Sequence, residues 1–440
     1  MAQFRKDTHQ YLNDGKTIFE VMMLADEYGN LVGPANPSGM AVDAFGRARS
    51  SNPFTLYDSV HLYKDNGKEA SANSSGGTYS FNSNTASMDL NLTTASGAYV
   101  YRESKKVFAY QPGKSLQIMK SFVMNAAKAN LRQRVGYFDE NNGFYLERSE
   151  LTANGVCFVK RSKVTGVVVN TPVDQQEWNV DKLDGTGPSL KTLNLDNPQI
   201  LFFDIEWLGV GSVRAGFIID GDFIHCHTFH HANLSGSAKG AYMQTAMLPI
   251  RSEIENTNTT SSSSSYKQIC ATVISEGGYH VTGRSHVIGQ DPTAAKHIAL
   301  STAGTYYPVV SIRLNADYKN AMAILKHVDL IPINSANYRY KLINGATLNG
   351  GVWANVNNDS VVQYNTNTSA TFTGGDILTS GYVTSTVQAG GSIDIQTDNI
   401  FLYQLERDSF ANTTMTLTLA VTSGTATCNV VGSMVWEEVG

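Results

Sequence analysis

Asp204 and Glu206, two residues apart in ILFFDIEWL, are the first side chains in this sequence whose types and spacing suggest chemistry. Successive side chains on a strand point to opposite faces, so both carboxylates leave the same face, which is one way to build a glycosidase site. A second cluster follows in His225, Cys226, His227, His230 and His231. Imidazole and thiolate groups hold transition metals, but on a strand His225 and His227 share a face while Cys226 points away, and no HExxH spacing is present. No metal is expected; the donors to consider for one are His225, His227 and His230. Otherwise the histidines form a polar strand end or an interface and titrate between neutral and mildly acid pH. No P-loop, Rossmann glycine pattern or GxSxG elbow occurs, so no catalytic residue and no cofactor is assigned.

These side chains need strands to hold them. Ile200 to Leu208 and Val210 to Ile219 are rich in β-branched and aromatic residues and too short and Gly-punctuated for long helices. Asp220-Gly221 lies between two apolar runs and suits a two-residue type I′ hairpin, which needs positive φ at both central positions.

The string DIEWLG resembles the strand motif of laminarinase-like retaining glycoside hydrolases, which reads Glu, apolar, Asp, apolar, Glu. The position matching that family's nucleophile is Phe202. A phenylalanine cannot attack an anomeric carbon, so this strand does not support hydrolysis by that mechanism.

Composition narrows the class. The chain has 440 residues, 42% of them hydrophobic and only 16% charged, with a formal net charge of -5. That size predicts two or three domains, and the low charge with abundant Gly, Ser, Thr and Asn fits a β-rich extracellular or virion surface. Basic clusters such as Lys105 with Lys106 and Arg132 with Arg134 are short, so nucleic acid is not an expected partner. No apolar run reaches the roughly 18 residues that span a bilayer, and MAQFRKDTHQ lacks a secretory apolar segment, which predicts synthesis in a cytoplasm and no membrane insertion. Cys157, Cys226, Cys270 and Cys428 form no CxxC pair and are expected to be reduced, mostly buried thiols.

Taken in order, residues 1–60 predict an extended N-terminal docking arm with a short strand at Thr17 to Leu24. Within it, Ala41 to Ser59 mixes aromatics, arginines and turn formers with no period, and Phe45, Arg47, Arg49, Phe54 and Tyr57 are its candidate interface residues; an extended strap across its own domain is the other reading. Asn73 to Asn91 reads as an exposed loop and Asn256 to Ser265 as a mobile one. Strands are expected from Lys106 to Tyr110 and onward through Asn170, with Asn141-Asn142-Gly143 as a hairpin loop. Met124 to Arg134 is open between helix and sheet. DGTGPSL, Asp184 to Leu190, must be a structured loop. Asp317 to Val328 has helix-compatible spacing, and Met415 to Val421 alternates like a half-buried strand. A boundary near Ile331 to Asn337 then separates a central domain, 61–335, from a C-terminal β domain, 336–440, whose Trp353, Tyr364 and Tyr382 are core residues or sugar-stacking platforms. The expected fold is mainly β: an antiparallel, jelly-roll-like β-sandwich with an N-terminal arm and a small C-terminal all-β domain.

The strings AVDAFGRARSSNPFTLYDS, DKLDGTGPSL and FFDIEWLGVGSVRAGFIIDG resemble virion structural proteins of tailed bacteriophages, those of marine and cyanobacterial hosts in particular, over about residues 41–335. The resemblance implies a non-enzymatic structural protein on the exterior of the virion, as a capsid decoration or head fibre, or a tail-fibre or baseplate component. Its partners would be other virion proteins and copies of itself, a trimer being the preferred oligomer. The alternative is a carbohydrate-binding protein for host adsorption, with a host surface glycan as partner; a polysaccharide depolymerase ranks last.

Overall fold

The computed structural model describes residues 24–25, 31–32, 52–234, 240–280, 282–385, 391–393 and 404–439. Residues 1–52 and 53–440 form two separate compact units. In the first, β1 (Leu24–Ala25) pairs antiparallel with β2 (Leu31–Val32). Phe45, Arg47, Arg49 and the rest of the Thr17 to Leu24 strand lie outside the described residues.

The larger unit is a mainly-β, antiparallel sandwich continued by a second pair of sheets. Fifteen strands make the sandwich: β3 (Phe54–Val60), β4 (Glu69–Asn73), β5 (Gly77–Asn82), β6 (Ser87–Leu92), β7 (Tyr99–Ser104), β8 (Leu116–Val123), β9 (Leu131–Phe138), β10 (Gly143–Arg148), β11 (Val156–Ser162), β12 (Val169–Asp174), β13 (Gln199–Ile205), β14 (Val213–Ile219), β15 (Asp222–Phe229), β16 (Ile250–Asn256) and β17 (Ser264–Ser275). One sheet runs β15-β14-β13-β8-β17-β6-β5, with β3 also on β17; the other runs β12-β11-β10-β9-β16-β7-β4.

Alternation builds the core between them. In β8, Leu116, Ile118, Lys120 and Phe122 are buried while Gln117, Met119, Ser121 and Val123 are partly exposed. In β13, Leu201, Phe203 and Ile205 turn inward the same way. Trp178 stacks on Phe158 inside this core, ring centroids 4.4 Å apart. The loop after it is structured, as its composition requires: the Asp181 carboxylate accepts from the backbone N–H groups of Leu183 at 2.8 Å and Ser189 at 2.7 Å.

The Asp-Gly hairpin forms as expected, Ile219 facing Asp222 and both turn residues at positive φ, 58° and 90°. Several other expectations are corrected by contacts distant in sequence. Asn73 to Asn91 contains the paired strands β5 and β6, whose inner residues Met88 and Leu90 are buried. The polar run Asn256 to Ser265 is pinned: Lys128 Nζ donates to the carbonyls of Ser262 at 3.2 Å and Ser263 at 2.8 Å, and Thr260 N–H donates to the Thr94 carbonyl. Met124 to Arg134 resolves into irregular chain entering β9, and Lys106 to Tyr110 is not a strand, though Val107 to Tyr110 are buried. Asp317 to Val328 is not helical; a single 3-10 turn, Ala316–Tyr318, precedes the strand Met322–Pro332, which pairs with Cys428–Val439. Cross-strand pairing there outweighs the Ala and Leu spacing that suggested a helix.

Phe54 and Tyr57 both belong to β3, which pairs with β17, so the arm ends before Phe54. Tyr57 is corrected as an interface residue: it is buried at 6% exposure with its hydroxyl 3.3 Å from Glu69 Oε1, and a side chain committed to its own core cannot dock on a partner. Phe54 is 39% exposed.

Pairing partners change between Ser275 and Arg284, ahead of the composition shift near Ile331. Tyr307–Leu314 and Met322–Pro332 pair with the C-terminal strands Thr416–Ser423 and Cys428–Val439. Around them, Trp436, Leu325, Leu417, Leu419 and Val421 form a second core. Leu417, Leu419 and Val421 are the alternating residues read from the sequence, but Thr418 and Ala420 between them are buried as well, so this strand is covered on both faces and not half-buried.

Candidate functional site

Because Leu201, Phe203 and Ile205 face the core, Phe202 and Asp204 must face outward from the β15-β3 sheet. Register sets their neighbours: Asp204 lies between Gln117 and Arg214, Phe202 between Met119 and Gly216. Gly216 is required here, since a Cβ would stand 2.8 Å from the Phe202 ring and 2.1 Å from the Ile224 carbonyl oxygen. Phe202 is thus 5% exposed, an apolar side chain where the glycosidase-like motif has its acidic one.

Beyond Asp204 the strand ends in a tight turn that carries Glu206. The turn closes through Gly211 N–H to Trp207 C=O at 2.8 Å and Glu206 N–H to Ser212 C=O at 3.1 Å, with Leu208 at φ 36°. Glu206 Oε2 accepts from Ser212 N–H at 3.3 Å. From the far side, Tyr110 holds the turn, its hydroxyl accepting from Leu208 N–H at 3.1 Å and its ring edge-on to Trp207.

The result is an open cleft of about 340 Å³ lined by Tyr110, Lys114, Ser115, Asp204, Glu206 and Arg214 among others. Arg214 Nη2 is 2.9 Å from Asp204 Oδ2. Burial nonetheless raises the Asp204 carboxyl above its ordinary range; Arg214 opposes this, while Glu276 and Glu206 reinforce it. Ser115 Oγ donates to Glu276 at the same end of the sheet. Carboxylates, a planar guanidinium and hydroxyls facing one hollow are a set of acceptors and donors suited to sugar hydroxyls.

The histidines do not converge. A β-bulge between Ala215 and Gly216 pairs His225 with Gly216 but His227 with Ala215, so His225 is on the outward face and His227 on the inner row. His225 Nε2 lies 2.8 Å from Thr228 Oγ1, His227 Nδ1 accepts from Asn179 N–H at 3.3 Å, and His231 Nδ1 donates to the Gly211 carbonyl at 2.7 Å while its ring stacks on Tyr242. Among the described residues no group of three or more His, Cys, Asp or Glu side chains is placed to share a metal ion, which corrects His225, His227 and His230 as joint donors. Burial lowers His225 and pushes His227 and His231 down to about 4, so the His227 and His231 rings stay neutral through the mildly acid range where titration was expected. The four cysteines are free thiols, three of them buried.

The sequence reading found Asp204, Glu206 and the Phe202 departure but missed Arg214, Tyr110, Lys114 and Ser115. Arg214 was within reach, because alternation along Val213–Ile219 already places it outward; Tyr110 and Ser115 had no local signal.

No family model matches this sequence, and no curated protein does. Among solved structures, the chain is similar to the carbohydrate recognition domain of Emp47p at 10% identity, over 53% of this chain and 99% of that one, with a TM-score of 0.31. It is similar to the CBM2 module of the evolved Dit of Lactobacillus casei BL23 phage J-1 at 7% identity, over 53% and 100%, with a TM-score of 0.34. A beta-1,3-glucanase from Mycobacterium marinum matches at 9% identity, over 50% and 98%, with a TM-score of 0.35.

Proposed function

We propose that this chain is a non-enzymatic structural protein on the exterior of a tailed-phage particle, and that its sandwich binds host-surface carbohydrate in the Asp204–Arg214 cleft. The observation that carries the binding reading is the cleft itself: Asp204, Glu206, Arg214 and Ser115 line one open hollow, with Phe202 where an attacking carboxylate would be needed. Such a site holds a sugar through directed hydrogen bonds and leaves its glycosidic bond intact. The virion assignment draws on the sequence resemblance, with residues 1–52 as the segment that docks on other virion proteins and symmetric self-association as the expected assembly.

Two experiments test the two halves. A glycan array of bacterial polysaccharides should give hits with the parent chain that are lost in Asp204→Asn and Arg214→Gln; an array without hits, or hits indifferent to both changes, overturns the binding role. Deleting residues 1–52, which spares β3 and its pairing with β17, should leave folded protein that no longer joins particles. Undiminished incorporation overturns the docking role.

A further inference from the structure

The second pair of sheets carries a surface that the cleft does not explain. In Ala336–Asn344, Tyr338, Tyr340 and Leu342 pack on the core, so Arg339 and Lys341 between them face outward. Arg339 is flanked across the sheet by Tyr382 and Thr422, and Lys341 by Ser380 and Ala420. The Arg339 guanidinium carbon lies 5.3 Å from the centre of the Tyr382 ring, and Lys341 Nζ lies 4.0 Å from that of Tyr306. Tyr382 is 75% exposed, a flat ring open on the surface.

The patch joins two cations to an exposed ring. Many arginines of the sandwich face carboxylates, Arg102 with Asp65, Arg134 with Glu147 and Glu253, Arg251 with Glu103. Among the described residues neither Arg339 nor Lys341 has a carboxylate within 4.0 Å. Three buried polar atoms of the same patch also lack hydrogen-bond partners: Arg339 Nε, Thr422 Oγ1 and the Tyr306 hydroxyl. Thr422 is 8% exposed and directly opposite Arg339, and Tyr306 lies under Lys341. Two cations without a carboxylate, side by side on one sheet face next to an open aromatic ring, form a site that an anion completes.

We propose that this face binds an anionic polysaccharide, Arg339 and Lys341 holding its carboxylate or phosphate and Tyr382 stacking on the sugar ring. A neutral sugar would leave both cations uncompensated. Nucleic acid fits less well, because two cations on a chain of net charge -5 neutralise far fewer phosphates than such binders use.

The test is affinity electrophoresis of the full chain through gels containing alginate, poly(glycerol phosphate) teichoic acid or dextran. The parent should be retarded by one or both polyanions and not by dextran, the arm that responds naming the acid group, and the retardation should weaken with added salt. Arg339→Gln with Lys341→Gln should weaken it on the order of tenfold or more, and Tyr382→Ala should weaken it as well. Lys64→Gln, at an exposed lysine outside both sites, should leave it unchanged, which separates this site from general attraction to surface lysines. Melting temperatures confirm that each variant is folded, and the single Lys341→Gln change serves if the double variant is not. No retardation by either polyanion, a double variant that runs like the parent, or equal retardation by oligothymidine overturns the proposal.

Discussion

Phe223 covers Phe202, the two ring centroids 5.3 Å apart and inclined at 60°. The outward position two residues before Asp204 is therefore closed by aromatic packing on one side and by the backbone of Gly216 beneath it.

Gly216→Ala should break that arrangement. Its new methyl would overlap the Ile224 carbonyl and the Phe202 ring, and a backbone atom cannot swing away as a side-chain tip can. A loss of roughly 2 kcal/mol or more is expected in urea unfolding. An unchanged midpoint would contradict this packing.

Lys120 should make stability depend on alkaline pH. It is buried between the sheets, and burial draws it down to about 8 from 10.5, with Glu69 opposing the shift and Arg102 adding to it. Between these values the unfolded chain holds a proton that the folded chain has released, so Lys120 makes stability rise with pH across that window. The contribution is about 3 kcal/mol. Subtracting the stability of Lys120→Met from that of the parent removes the tyrosines common to both, and the difference should grow from pH 8 to 10.5; a flat difference would refute the burial.

Glu406 should act in the opposite sense at lower pH. Burial raises its carboxyl from 4.5 to about 7, against Lys106, the Val107 N–H and Gln404, which favour the anion, and with Asp408, which does not. Folding here favours the protonated form, so its stabilisation is complete below 4.5 and is lost as pH rises through about 7, on the order of 3 kcal/mol in all. Glu406→Gln keeps a neutral group at every pH. Its unfolding midpoint should fall less than the parent's between pH 5 and 8, and parallel curves would count against the assignment.

Trp178→Ala should cost about 3–5 kcal/mol, because the indole is 2% exposed and stacked on Phe158 and Phe217. A thermal melt within a degree or two of the parent would show that the core does not depend on it.

Much of the architecture was readable from local pattern. Period-two alternation, β-branched residues and the Asp220-Gly221 turn are properties of neighbouring residues, and they determine strand, face and hairpin without reference to the rest of the chain. For that reason Asp204 and Glu206 could be put on one face, Phe202 recognised as a departure from a catalytic strand, and the apolar residues of Met415 to Val421 assigned a buried face. Other features depend on residues that meet only in the folded molecule. The bulge opposite Gly216 turns His227 inward and separates it from His225. Lys128 orders a run of serines more than a hundred residues away, and β17 claims Phe54 and Tyr57 for the sandwich. Arg214 meets Asp204, and Arg339 meets Tyr382, through cross-strand register. Alternation decides which face a side chain takes; register and burial, set by contacts distant in sequence, decide what it meets there.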